Sequence, residues 1–295
     1  MSLPKILLQL DTDAQPSVFD SVVAIDAGAE QLLRHGSITS EGVRNLVHGL
    51  MFTRGVKDLQ HSAVFVGGSD VARGAELLKA VKESYFGPFR CSVMLDANGC
   101  NTTAAAAVLA AAREMKLEGA CALVLAGTGP VGQRVVRLLA REKAEVRVAS
   151  RKLDKAQAVC ETIAASCAGA QLTPWATASE EETWKAVAGA QVIIAAGAAE
   201  VELLNLTKLR EQSADTLAAL RVAIDLNAVP PLGIAGVDAQ DKAVQREGVV
   251  CYGALGVGGT KMKIHRAAVR ALFAANNQVL DAEEIFDIGQ QLEKV

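Results

Sequence analysis

The stretch "CALVLAGTGPVGQRVVRLLA" (Cys121–Ala140) contains a short apolar run, a cluster of glycines and a segment with apolar residues at helical spacing. Gly127, Gly129 and Gly132 fit the pattern G-x-G-x-x-G. In this pattern the first glycine allows a tight turn, the second lets the backbone approach a pyrophosphate, and the third lets the helix pack closely on the strand. The stretch therefore predicts a strand, a phosphate-binding turn and a helix whose N-terminus faces the phosphates.

The second half of the chain continues this pattern. Apolar segments alternate with segments of helical periodicity, which is typical of a βαβαβ series. The predicted strands are residues 121–127, 145–150, 191–197 and 220–227, and the predicted helices are residues 131–143, 152–166 and 180–189. Because the apolar runs are continuous rather than alternating, the strands are expected to be parallel and covered on both faces. The second half therefore predicts a Rossmann-type doubly wound parallel sheet.

The first half also predicts alternating strands and helices. Its predicted strands are residues 5–10, 62–68 and 90–95; helical spacing covers residues 17–33, 69–86 and 101–113, and two closing helices are expected over residues 259–277 and 281–294. A length of 295 residues fits two domains. The sequence predicts an α/β protein with an N-terminal α/β domain (1–112), a Rossmann domain (113–265) and C-terminal helices (266–295) that return to the N-terminal domain.

Composition argues against several classes of function. Thirty basic and 33 acidic residues give a net charge of −3, which disfavours nucleic acid as a partner. The six cysteines form no C-x-x-C pair, and the four histidines show no metal-ligand spacing, so neither a disulfide framework nor a metal site is predicted. No apolar segment approaches the length of a membrane span, and the apolar N-terminal run is too short for a signal peptide. We therefore expect a cytoplasmic protein.

The end of the second strand predicts which dinucleotide is bound. Enzymes that use NAD usually place an acid there to bind the ribose 2′-hydroxyl, whereas this chain has Ser150, Arg151 and Lys152. Serine and arginine would bind a 2′-phosphate, so the sequence predicts NADP; the alternative is that Arg151 and Lys152 are solvated charges at a helix start. The predicted cofactor-binding residues are Gly127, Thr128, Gly129, Pro130, Val131, Gly132, Ser150, Arg151, Lys152, Ala196, Gly197 and Asn227.

Other polar residues have two interpretations each. Ser17 and Asp20 have the spacing of a helix cap, and Asn98, Thr102 and Thr103 could bind a ligand or only satisfy backbone groups. Asp225 and Asn227 could likewise be ligands or turn formers. The glycine-rich residues 253–259 are expected to lead into a helix whose first turns carry four basic groups, Lys261, Lys263, His265 and Arg266, facing an anion, an acidic partner or water.

Eight separate segments carry a resemblance to a known family. They are "DTDAQPSVFD" (11–20), "VGGSD" (66–70), "FGPFR" (86–90), "DANGCNTTAAA" (96–106), "LAGTGPVG" (125–132), "SRKLDKAQA" (150–158), "NAVPPLGIAGVDA" (227–239) and "GALGVGGTKMKIHRA" (253–267). With these segments, spread over nearly the full length, the chain resembles the bacterial NADP-dependent methylene-tetrahydromethanopterin dehydrogenases of one-carbon metabolism.

The resemblance implies an oxidoreductase that acts on CH–NH donors. The expected reaction moves a hydride from methylene-tetrahydromethanopterin to NADP⁺, in two α/β domains with a cleft between them. Asp20 and Lys261 match the family's acid and lysine near the pterin, and Arg151 matches its 2′-phosphate contact. Asp20 would stabilise the developing cation, and Lys261 would orient Asp20 or the pterin. Substrate contacts are expected from Asp20, Asn98, Thr102, Thr103 and Lys261.

The resemblance also implies a homotrimer or larger homo-oligomer. Three alternatives stay open at this point: a methylene-tetrahydrofolate dehydrogenase, a shikimate-type NADP dehydrogenase, and a non-catalytic NADP-binding protein that senses redox state.

Overall fold

A computed structural model describes residues 3–294 as an α/β protein. The strands are β1 (Ile6–Asp11), β2 (Gln31–His35), β3 (Ser62–Gly67), β4 (Ser92–Leu95), β5 (Cys121–Leu125), β6 (Glu145–Ser150), β7 (Gln171–Ala176), β8 (Val192–Ala195), β9 (Leu204–Asn205), β10 (Val222–Asp225), β11 (Ile234–Ala235), β12 (Lys242–Arg246), β13 (Val249–Tyr252) and β14 (Val279–Leu280). The α-helices are α1 (Val18–Asp26), α2 (Ser40–Met51), α3 (Val71–Glu83), α4 (Cys100–Glu114), α5 (Pro130–Arg141), α6 (Leu153–Ser166), α7 (Glu180–Val187), α8 (Leu206–Ser213), α9 (Ala254–Ala271) and α10 (Ala282–Glu293). Short 3-10 helices cover Val56–His61, Ala97–Gly99 and Ala214–Leu217.

The described chain divides into two compact units. The first contains residues 3–102 and 262–294, and the second contains residues 103–261. The divisions fall inside α4 and α9, whereas the sequence placed them at residues 112 and 265. Both predicted boundaries therefore lie in the same two helices as the observed ones.

The first unit is built on a five-stranded sheet with the order β14-β4-β3-β1-β2. All its strand pairs are parallel, and β14 adds the C-terminal part of the chain to the edge beside β4. The strand order reverses between β1 and β3. In open α/β sheets ligands bind beyond the carboxyl ends of the strands at such a reversal, so this unit has one expected ligand position.

The second unit is built on a seven-stranded sheet with the order β12-β13-β10-β8-β5-β6-β7. The strands are parallel except for β12, which runs antiparallel to β13. Fully buried side chains such as Leu123, Ile193 and Ala223 fill the core on one face. The order reverses between β5 and β8, which is the position at which Rossmann folds bind dinucleotides. The predicted Rossmann-type doubly wound sheet is confirmed.

One helix prediction in the first half is wrong. Residues 17–33 were expected to be helical, but α1 ends at Asp26, Gly28 takes a positive φ of 99°, and residues 31–35 form β2. The strand β2 lies at the open edge of the sheet, where its residues are exposed or half-buried. An edge strand does not need the continuous apolar run that marks a buried parallel strand. The sequence of β2 is therefore compatible with a helix as well as with a strand.

Buried thiols give the fold a dependence on alkaline pH. Burial raises the pKa of Cys91 from an ordinary 9.0 to about 12, and that of Cys251 to about 11. Above the ordinary pKa the unfolded chain loses these protons while the folded chain keeps them. Stability is therefore fully present below pH 9 and is lost as the pH rises towards the folded pKa, by about 1.4 kcal/mol per pH unit for each group.

We expect the free energy of unfolding to fall steadily when the pH is raised above 9, as measured by urea denaturation at a series of pH values. Cys91→Ala should reduce the slope of that fall. A free energy of unfolding that does not change with pH over this range would contradict the assignment.

Candidate functional site

The predicted phosphate-binding turn joins β5 to α5. Ala126 has a positive φ of 54°, Gly127 N donates to Ala149 O at 2.9 Å, and Gly129 N donates to Ala126 O at 3.0 Å. Gly129 is the N-cap of α5 and Pro130 is in its first turn. Since the N-cap residue has no side chain, the first turn of α5 has no side-chain cap, and its N–H groups and dipole are available to an anion.

The three glycines of the turn are required for different reasons. A Cβ on Gly132 would lie 2.5 Å from Ala126 O, and one on Gly127 would lie 3.0 Å from Val124 O. A Cβ on Gly129 would meet only Ala126 O at 3.4 Å and Ala196 O at 3.6 Å, which are ordinary contacts. Packing within the protein thus demands glycine at the first and third positions but not at the second.

The space beside Gly129 lies between the turn and Ala196, which follows β8. Ala196 N donates to Leu125 O at 3.1 Å, so this space is at the strand-order reversal of the second sheet. A pyrophosphate group packed against Gly129 would explain why the second position is glycine. The residues present therefore fit a dinucleotide pyrophosphate.

Ser150 connects the turn to the end of β6. Thr128 Oγ1 donates to Ser150 Oγ at 3.4 Å, and Lys152 N donates to the same oxygen at 3.3 Å. Ser150 is buried, whereas Arg151 and Lys152 are exposed. The hydroxyl thus holds the glycine turn and the segment that carries the two cations in one arrangement.

A cavity of about 280 Å³ lies beyond the ends of β5 and β6. It is lined by Arg151, by residues 177–180 with Trp184, and by residues 201–205. Arg151 is the cation among the described residues that line it. Two acids also line it: Glu180, which is held by Lys208 at 2.7 Å, and Glu202, which accepts from Asn205 Nδ2 at 3.4 Å. The N-terminus of α7 is occupied by its own capping box, in which Ser179 and Glu182 bond each other's backbone. An anion in this cavity would therefore be bound by Arg151.

The loop after β10 is held by its own polar side chains. Asn227 is buried; its Nδ2 donates to Pro231 O at 3.1 Å, and its Oδ1 accepts from Val229 N at 3.0 Å. The sequence left two roles open for Asn227, ligand binding or turn formation. Its side chain forms hydrogen bonds within the turn. Asp225 is also buried: burial raises the pKa of its carboxyl, while hydrogen bonds from Ile234, Asn227 and Gly233 lower it.

Two carboxylates meet at the strand-order reversal of the first unit. A Cβ on Gly67, the last residue of β3, would lie 3.3 Å from Asp11 Oδ2 and 3.5 Å from Asp20 Oδ2. Ser17 Oγ accepts from Asp20 N at 3.2 Å, as the S-x-x-D spacing predicts for a helix cap. Asp20 thus reaches the end of β3 from the first turn of α1. Its neighbour Asp11, the last residue of β1, was missed from the sequence, which placed the end of this strand at residue 10.

The segment after β4 is anchored by another buried acid. Asp96 accepts from Asn101 N at 2.9 Å and from Thr102 Oγ1 at 2.7 Å. Thr102 is fully buried, so the structure places its hydroxyl in the start of α4. Asn98 is exposed with a positive φ of 53°, and Thr103 is half-buried. Asn98 therefore has the most open side chain of the three predicted substrate contacts in this segment.

The expected start of the basic helix is wrong. α9 begins at Ala254, so Lys261, Lys263, His265 and Arg266 lie in its interior and not near its positive end. Lys261 is half-buried and Lys263 is exposed, whereas His265 is buried with its ring 5.7 Å from that of Phe65. The dipole argument for an anion near these four residues therefore does not apply.

Within residues 3–294, no group of three or more His, Cys, Asp or Glu side chains is arranged to hold a metal ion. Among the described helices, none combines the length and apolar character needed to cross a membrane.

Comparison with known proteins gives two family matches along the chain. Residues 18–98 match the N-terminal domain of methylene-tetrahydromethanopterin dehydrogenase, and residues 109–239 match shikimate / quinate 5-dehydrogenase. The bifunctional protein MdtA of Methylorubrum extorquens is 45% identical over 290 residues, which covers 98% of this chain and 99% of that protein. The chain belongs to the methylene-tetrahydromethanopterin dehydrogenase family.

A second curated protein and one solved structure are also similar to this chain. The NAD(P)-dependent methylenetetrahydromethanopterin dehydrogenase of Methylorubrum extorquens is 27% identical, with 94% of each chain covered. Shikimate 5-dehydrogenase from Listeria monocytogenes, solved with shikimate and NAD, superposes with a TM-score of 0.54 at 13% identity; 98% of this chain and 96% of that chain are covered. The similarity to shikimate 5-dehydrogenase concerns the α/β fold alone.

Proposed function

We propose that this chain oxidises methylene-tetrahydromethanopterin to methenyl-tetrahydromethanopterin with NADP⁺ as the oxidant. The observation that carries the proposal is Gly129, which lies at the strand-order reversal of the second sheet and which packing within the protein does not require, since an added Cβ would make only ordinary contacts with Ala126 O and Ala196 O. Membership of a dehydrogenase family supplies the substrate class. When bound, NADP⁺ supplies a hydride acceptor at C4 of its nicotinamide ring.

The residues of the second unit support binding of a 2′-phosphorylated dinucleotide. The turn at Gly127–Gly132 and the first turn of α5 would hold the pyrophosphate. Arg151 would hold the 2′-phosphate, because it is the cation among the described residues lining the adjacent cavity. Ala196 and Gly197 would lie against the nicotinamide ribose.

The residues of the first unit support stabilisation of a cation. Asp20 reaches the end of β3, and its carboxylate favours a ligand that is positively charged or rich in N–H donors, whereas the buried Asp11 beside it accepts from Asp13 N and Ser17 N. Oxidation of the methylene carbon produces such a charge, delocalised over its two nitrogens, and removes no proton from that carbon. We therefore assign electrostatic stabilisation to Asp20 and orientation of the pterin to Lys261. No general base is needed.

Arg151→Ala tests the cofactor assignment. We expect the KM for NADP⁺ to rise about 10- to 100-fold, since a hydrogen bond to a charged group contributes about 1.5–3 kcal/mol. The KM for NAD⁺ should barely change. Lys152→Ala is the matched control, because Lys152 is an exposed cation next in sequence that does not line the cavity. Equal effects of both substitutions on NADP⁺ would contradict the assignment.

The substrate is tested by following NADPH absorbance with purified protein, NADP⁺ and either methylene-tetrahydromethanopterin or methylene-tetrahydrofolate. We expect turnover with methylene-tetrahydromethanopterin. If turnover with methylene-tetrahydrofolate were faster, the folate form would be the preferred substrate instead. Binding of NADP without turnover on either pterin would favour a redox sensor. We also propose that the protein works as a homo-oligomer of three or more chains, which sedimentation analysis tests.

A further inference from the structure

The segment after β10 crosses the end of the neighbouring strand β8. A Cβ on Gly233 would lie 3.4 Å from the Cβ of Ala195, the last residue of β8. Gly233 O accepts from Leu203 N at 2.8 Å and from Leu204 N at 3.1 Å. The next two residues pair in parallel with β9 as β11. Residues 226–234 therefore lie over the half of the sheet that follows the strand-order reversal.

One buried carboxylate fixes this crossing. Asp225 Oδ1 accepts from Asn227 N at 3.0 Å, and Asp225 Oδ2 accepts from Ile234 N at 3.0 Å. A further hydrogen bond comes from the backbone of Gly233. The carboxylate thus holds both ends of the segment at once, and its burial leaves it no role in contact with solvent.

The position of the segment decides what it can hold. In doubly wound sheets of this order the adenosine half of a dinucleotide lies over the first βαβαβ half, and the nicotinamide half lies over the second. Arg151 and residues 177–184, on one side of the cavity, follow strands of the first half, whereas residues 201–205, on its other side, follow β8 in the second half. Resting on the proposed use of NADP, we propose that Asp225 is a positioning residue for the nicotinamide half of the cofactor.

Asp225→Asn tests this assignment by splitting cofactor affinity into two parts. An amide in place of the carboxylate presents an NH₂ group to one of the backbone donors, so the segment loses at least one of its bonds. We expect the Kd for NADP⁺ to rise about tenfold, equivalent to one charged hydrogen bond. The Kd for 2′,5′-ADP, which lacks the nicotinamide half, should rise clearly less, because the segment lies directly over the end of β8 but reaches the cavity with Arg151 through Leu203 and Leu204. Both are measured by isothermal titration calorimetry.

Gly233→Ala provides the same test from the other side of the contact. Its Cβ would lie 2.7 Å from Asp225 Oδ1 and would force the carboxylate and the segment apart. This variant should show the same split, and it carries the test if Asp225→Asn is insoluble. Val249→Ala is the control for general destabilisation, since Val249 is a core residue of the same unit. It should lower the melting temperature and leave the ratio of the two Kd values unchanged.

The outcomes separate this inference from the function on which it rests. Weakened NADP⁺ binding with 2′,5′-ADP binding retained supports Asp225 as a positioning residue. Equal loss for both ligands, or loss for neither, overturns that role while the binding site for NADP stands. A wild-type chain that binds neither ligand overturns the proposed function and the role of Asp225 together.

Discussion

Gly129→Ala is expected to abolish most of the dinucleotide affinity while leaving the fold intact. The new Cβ meets only ordinary contacts within the protein, and the φ of −75° at this position suits alanine. Loss of the glycine N-cap should cost less than about 1 kcal/mol. If the pyrophosphate of the dinucleotide fills the same space, the new Cβ would clash with it. Such overpacking costs about 1–3 kcal/mol of binding free energy, which corresponds to about a 10- to 100-fold higher Kd. Calorimetry with NADP⁺ and a thermal melt measure the two effects.

Gly132→Ala is the contrasting variant in the same turn. Its Cβ would lie 2.5 Å from Ala126 O, so it should lower the melting temperature as well as the affinity. Only the combination of unchanged stability and lost affinity in Gly129→Ala identifies a ligand. If Gly129→Ala binds NADP⁺ as the wild type does, the space beside Gly129 holds no pyrophosphate.

Gly256→Ala is expected to lower the free energy of unfolding more than any other substitution proposed here. In an isolated helix, alanine would be better than glycine by about 1 kcal/mol. Here the Cβ would lie 1.8 Å from Asp241 O, so α9 and the turn at residues 238–241 must separate. That turn is itself rigid, because Arg246 bonds both Asp238 and Asp241. We expect the free energy of unfolding to fall by about 2–4 kcal/mol, as measured by urea denaturation.

Gly258→Ala is the matched control two residues further along the same helix. Nothing lies within 4 Å of its Cβ position, so the substitution should stabilise the protein by up to about 1 kcal/mol. If both substitutions stabilised the protein, helix propensity rather than the contact with Asp241 would decide the stability.

The sequence predicted the parts of the fold that buried apolar runs define. The strands β3 and β8 are wholly buried, β5 is buried except at Cys121, and all three consist of continuous, mainly apolar segments. The strands β2 and β12 were missed because they are edge strands with exposed or half-buried residues. β7 was missed because it contains Pro174 and has no fully buried residue. Exposure at the sheet edge thus removed the signal for β2, β7 and β12. The interior strand β13 was missed as well, although all four of its residues are buried.

The candidate cofactor site could be proposed from the sequence because its residues form local patterns. The glycine turn and the cations after β6 are adjacent in the chain, and the structure places Arg151 beside a cavity as well. The start of α9 could not be read in the same way. Glycines at 253, 256, 258 and 259 suggested a loop, but the first two are glycine because the backbone of residues 238–241 packs against them. The role of Asp225 also depends on contacts with residues that are distant in the sequence.

The central claim is tested most directly with methylene-tetrahydromethanopterin that carries deuterium on its methylene carbon. The purified protein is mixed with this substrate and NADP⁺ in ordinary water, and the reduced cofactor is analysed by mass spectrometry. The account predicts NADPH that contains one deuterium derived from the substrate, together with the methenyl product. Bound NADP⁺ that stays oxidised, or reduced cofactor without the label, would contradict it.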